Sequence, residues 1–87
     1  MKTEIKNIIA ELLKKESKTQ RETFEYYGGC YGTNPYRYAY LGLADRADLT
    51  LKHLEKNRID EEDYEVISRL LSEDGKEELI NEIKIND

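Results

Sequence analysis

The sequence predicts an all-α domain, a compact bundle of four to five short helices with a Gly/Tyr-rich loop between the N-terminal and central helices. Three observations predict it. Apolar residues recur at helical spacing in separate stretches. Residues that cap and stop helices punctuate those stretches. Turn-forming residues are gathered in one segment: EYYGGCYGTNPYRYAY, residues 25–40, holds six of the seven tyrosines, three of the five glycines, the only proline and the only cysteine.

The first stretch places Ile5, Ile8, Ile9, Leu12 and Leu13 on one helical face, with Thr3 as its expected N-cap. The stripe lapses through KKESKTQRE, where Ser17 with Gln20 and Thr19 with Glu22 have capping-box spacing. Either the first helix runs on as a solvated rod, or a second short one restarts near Thr19, with Phe24 and Tyr27 as its apolar contacts. Gly28 is expected as its left-handed stop.

GGCYGTN is turn-forming, because three glycines in five residues disfavour helix and regular strand alike. Asn34-Pro35 then reads as an N-cap followed by proline in the first helical position. From there Tyr36, Tyr40, Leu43, Ala44, Ala47, Leu51 and Leu54 share one helical face. A rival reading is a hairpin over residues 23–41, since Tyr36, Tyr38 and Tyr40 alternate as in a strand. The helical period continues for three further turns and is preferred. Gly42 costs that helix about 1 kcal/mol relative to Ala, and close packing against another backbone would account for it.

Asn57-Arg58 closes the long helix, and Asp60 caps the next, with Glu61, Glu62 and Asp63 favoured in its first turn by the helix dipole. Tyr64, Ile67 and Leu71, flanked by Val66 and Leu70, form its apolar face. Asp74-Gly75 interrupts it, and Leu79, Ile80 and Ile83 mark a short terminal helix. No internal repeat and no Pro-, Gly- or Ser-rich linker divides the chain, so residues 1–87 are expected to form a single small domain.

Composition narrows the function. Leu, Ile, Val and Phe total 20 of 87 residues, enough for a thin core and little more. Such domains often gain stability from a partner or from oligomerising. One cysteine excludes an internal disulfide framework, and no apolar run approaches the length of a membrane span. A cytoplasmic protein without membrane association is expected, intracellular in a bacterial host if phage-encoded. Residues 1–58 carry 11 basic against 8 acidic side chains, and residues 59–87 carry 3 against 11. The two parts either attract one another in the fold or present opposite faces to different partners. The acidic second part argues against binding duplex DNA.

Catalysis and metal binding find little support. Cys30 between glycines, with His53 as base and Asp45 or Asp48 as orienter, takes one of each residue type from a short chain. One Cys and one His do not make a zinc site, and no calcium-loop or phosphate-loop motif occurs. No enzyme, no metal and no cofactor are therefore expected. A DNA-binding helix pair within residues 49–71 is rejected, because its recognition helix would open on Asp60, Glu61, Glu62 and Asp63.

The tyrosines carry the functional expectation. Tyrosine adds contact area at low conformational-entropy cost and keeps a hydrated hydroxyl. Tyr27, Tyr36 and Tyr40 read as widening the core, whereas Tyr26, Tyr31 and Tyr38 fall off the apolar face or inside the glycine loop. Arg37 lies between two tyrosines, and Lys14, Lys15, Lys18 and Arg21 form the dense basic cluster. In size and style the chain is similar to small accessory proteins of phages and mobile elements, many of which inhibit a host factor by binding it. The likeness covers no motif.

Two functions follow as expectations. The first is a non-enzymatic interaction protein that binds and inhibits a larger protein partner, for example a host defence nuclease such as a CRISPR effector. Tyr26, Tyr31, Tyr36, Arg37 and Tyr38 would anchor it, and Glu61, Glu62 and Asp63 would imitate phosphates. The alternative is a homo-oligomer that sequesters a nucleotide, with Lys14, Lys15, Lys18, Arg21 and Arg37 at the phosphate and the tyrosines at the base.

Overall fold

A computed structural model describes residues 1–28 and 35–85, and the fold is an all-α bundle. Helix α1 spans Thr3–Tyr26, α2 spans Tyr38–Glu55 and α3 spans Glu61–Glu73, with 3-10 segments at Pro35–Arg37 and Glu77–Glu82. Among the described residues there is no strand, so the hairpin reading of residues 23–41 finds no support in those it can be checked on.

Helix α1 runs unbroken for 24 residues, about 36 Å. Its first half buries Ile5, Ile9 and Leu13. Beyond them the buried positions are polar: Glu16 and Ser17 continue the inward face where the hydrophobic pattern lapses. The capping-box spacings there are not used as caps. Gln20 Nε2 donates to Glu16 at 3.0 Å, and the Thr23 hydroxyl donates to the Thr19 carbonyl at 2.9 Å. Nor does Thr3 cap α1; Lys2 occupies that position without a side-chain bond.

Helix α2 returns antiparallel to α1. Tyr27 meets Tyr40, Phe24 meets Tyr38, and Arg21 bonds Asp45 at 2.9 Å and Asp48 at 2.5 Å. It ends in a Schellman turn. Asn57 adopts φ 55°, its N–H reaches the Leu54 carbonyl at 3.1 Å, and Arg58 N–H reaches His53 at 2.8 Å. The same device closes α3, with Gly75 at φ 73° and Lys76 N–H on Leu71 at 2.8 Å. The terminal apolar residues form a 3-10 segment rather than an α-helix, and Ile83 beyond it joins the core.

That core holds Ile5, Ile9, Leu13, Ala47, Leu54, Ile59, Ile67, Leu70, Leu71 and Ile83. Helix α3 straddles the α1–α2 pair: Asp63 at its start bonds α2, and Arg69 two turns on bonds Glu16 of α1 at 2.5 Å. No residue of 18–28 or 35–43 is buried. The α1–α2 pair therefore projects past its core as a two-helix arm, in a molecule measuring 46 × 26 × 16 Å.

Candidate functional site

The end of that arm is an aromatic tip. Tyr26 packs edge-on against Tyr27 with centroids 5.1 Å apart, Tyr27 stacks on Tyr40 at 5.7 Å and 14°, and Phe24 leans on Tyr38 at 5.5 Å. These contacts link rings along the arm without burying them. Tyr26 remains 78% exposed, Tyr36 81% and Tyr38 57%. The expectation that Tyr27 and Tyr36 widen the core is corrected, since both are exposed. They lie beyond the last buried turn of each helix, where no third element among the described residues covers them. Tyr31 and Cys30 lie outside the described residues.

Arg37 is half-buried within this array. Its guanidinium lies 4.2 Å from the centroid of Phe24 and 5.5 Å from that of Tyr38, and Nη1 donates to the Phe24 carbonyl at 3.4 Å. Gly28 is not left-handed, contrary to expectation. It ends α1 with its N–H on the Glu25 carbonyl at 3.1 Å.

The basic cluster does not gather around Arg37. Lys14 and Lys15 lie about ten residues, or 15 Å of helix, before Phe24. Lys14 pairs with Glu11 at 3.6 Å, and Lys15 lines a 270 Å³ hollow beside Glu73 and Asp74. Lys18 is exposed on the solvent side of the arm. Arg21 is held by Asp48 and Asp45, which raise its pKa further.

A second polar constellation joins α2 to α3. Asp63 is wholly buried, so its expected role as a phosphate mimic is corrected. Its Oδ1 accepts from Thr50 at 2.8 Å and Arg46 at 2.6 Å; its Oδ2 accepts from the Asp60 N–H at 3.0 Å and lies 2.6 Å from His53 Nδ1. Asp60 accepts in return from the Asp63 N–H at 2.8 Å, closing a capping box with aspartate in both places. Burial alone would push the Asp63 carboxyl up. The bonds from Asp60, Thr50 and His53 outweigh that and hold it below the usual carboxylate range.

His53, Asp60 and Asp63 place ligand atoms within 4.8 Å of one another, the spacing a metal ion would need. The residues do not fit one. Both Asp63 oxygens are engaged, and the positive charge beside the carboxylates is Arg46, which also reaches Glu62 at 3.0 Å and Asp60 at 3.3 Å. Nor is His53 oriented by Asp45 or Asp48, which hold Arg21 on the α1 side of α2. Glu61 and Glu62 are exposed at the start of α3.

Sequence reasoning found the tyrosine segment and the Asp60 cap, but missed Arg46 and Thr50. Their signal was legible only as a polar row at i, i+4 and i+7 on α2, completed by His53. No family model matches the chain, and neither a curated protein nor a solved structure shows significant similarity to it.

Proposed function

We propose that this is a non-enzymatic interaction protein that binds a larger protein partner through the tyrosine tip. The observation that carries the reading is the arm itself: exposed tyrosines stand on the ends of two helices, beyond any core that would require them. Aromatic side chains fixed on a rigid element make strong anchors, because little freedom remains to be lost on binding. Glu61 and Glu62 offer a second, acidic edge at the start of α3, suited to a basic channel. Inhibition of a host factor, in the manner of phage accessory proteins acting inside a bacterial cell, is the biological form this reading takes.

A nucleotide-sequestering oligomer draws less support. Its cations do not converge, and Arg21 and Arg37 are engaged within the fold.

Of the described residues, no helix is long and apolar enough to cross a membrane. The test is site-specific photo-crosslinking in the producing cell. A crosslinker at position 26 or 36 is expected to trap one protein species that the same group at Glu65 does not. Equal yields from all three positions would overturn the reading.

A further inference from the structure

We infer that Arg37 is a positioning residue of the tyrosine tip rather than one of its contacts, and that its guanidinium takes the space a side chain at position 28 would fill. The inference rests on the interaction reading only for what the positioned tyrosines do.

A Cβ built on Gly28 would sit 1.6 Å from Arg37 Nη1, 2.9 Å from its Cζ and 3.3 Å from the Glu25 carbonyl. Backbone conformation does not call for glycine there, since φ is not positive. What glycine supplies is room for the far end of the Arg37 side chain, which a Cβ would displace. Arg37 passes directly over the Gly28 backbone to place its guanidinium on the Phe24 ring and one N–H on the Phe24 carbonyl.

That carbonyl belongs to the last turn of α1, where helix carbonyls lack intrahelical partners and the dipole favours a cation. The guanidinium also approaches Tyr38, the first residue of α2. Arg37 thus ties the end of α1 to the start of α2, at the level where the rings of Phe24 and Tyr38 meet. Lysine could supply the charge but not a planar group able to lie on a ring while donating to the carbonyl. Its role in binding is indirect: it sets where the rings stand.

The experiment is a double-mutant cycle on the free protein with Gly28→Ala, Arg37→Ala and both together, alongside Arg37→Lys. Thermal unfolding and the NMR ring resonances of Phe24, Tyr38 and Tyr40 are the readouts. Neither position is in the core, so all variants are expected to fold. Arg37→Ala should lower Tm by on the order of 5 °C, Gly28→Ala by no more than that, and both should shift the same ring resonances. The double variant should be no worse than Arg37→Ala alone, and Arg37→Lys should resemble Arg37→Ala. Additive losses, or a Gly28→Ala variant with unmoved ring resonances, would overturn the inference. Coupling in the cycle with undiminished crosslinking from position 26 in Arg37→Ala would leave the tie standing and refute its service to binding.

Discussion

The Thr50 hydroxyl donates to Asp63 at 2.8 Å, and neither residue exposes any surface to water. A buried carboxylate survives only when its oxygens are satisfied, because an unpaired charge out of water costs several kcal/mol. Here Thr50, Arg46 and His53 of α2 and a backbone N–H at the start of α3 converge on one side chain. The same side chain completes the cap of α3, so helix initiation and helix docking depend on a single residue.

Removing that residue should therefore cost more than removing any one donor. Thr50→Val keeps the volume and takes one bond from Asp63, for a loss of about 1–3 kcal/mol. Asp63→Ala leaves Arg46 with Glu62 and Asp60 only, takes the acceptor from buried Thr50 and from His53, and removes half of the capping box, for about 2–5 kcal/mol. Urea unfolding of the two variants checks the order. Equal and small losses would show that the constellation does not hold α3 in place.

Acid should weaken the fold through Asp63 and Asp48. The Ser17 hydroxyl first, and then Arg21, hold Asp48 below the usual carboxylate range against the effect of burial. A carboxyl depressed in the folded state contributes stability above its unfolded pKa and loses it as pH falls. Stability is expected to decline progressively below about pH 5. Asp48→Asn should flatten that decline while lowering stability at pH 7. A pH–stability profile unchanged by the substitution would contradict the assignment.

A Cβ placed on Gly42 would meet no atom of the described residues within 4 Å beyond its own stretch of helix, so close packing among them does not account for this glycine. It sits in the exposed part of α2, where glycine costs about 1 kcal/mol relative to alanine. Gly42→Ala should raise stability by up to that amount, read as an increased urea midpoint at constant slope. A destabilised variant would mean that the α2 backbone there is not regular helix.

The tip should be separable from the fold. Tyr26→Ser with Tyr36→Ser, both far out on the arm, should change unfolding free energy by within about 0.5 kcal/mol per site while abolishing partner capture. Glu61→Gln with Glu62→Gln tests the acidic edge in the same way. Loss of stability in the tyrosine pair would show that these rings hold the arm together.

The helices were legible because their signals are local. The Ile5–Leu13 stripe, the Asp60 cap and the Asp74-Gly75 stop each act through neighbours within one or two turns. The continuation of α1 past Leu13 was not legible as packing, because its inward face changes from apolar to polar at Glu16 and Ser17. Their partners, Arg69 and Asp48, lie 53 and 31 positions away in the chain. The Asp63 constellation was hidden for the same reason: an acidic run at a helix start looks alike whether its third member faces water or a threonine.

The sequence by itself determined the helical class, the helix stops and the concentration of tyrosine in one segment, since propensity, periodicity and turn chemistry are properties of short stretches. Only the tertiary structure decided which polar residues are inside and which aromatic residues are out. That depends on where α3 crosses the α1–α2 pair. Side chains beneath the crossing are desolvated and must find partners, while those beyond it, Tyr26, Tyr36 and Tyr38 among them, stay exposed to water.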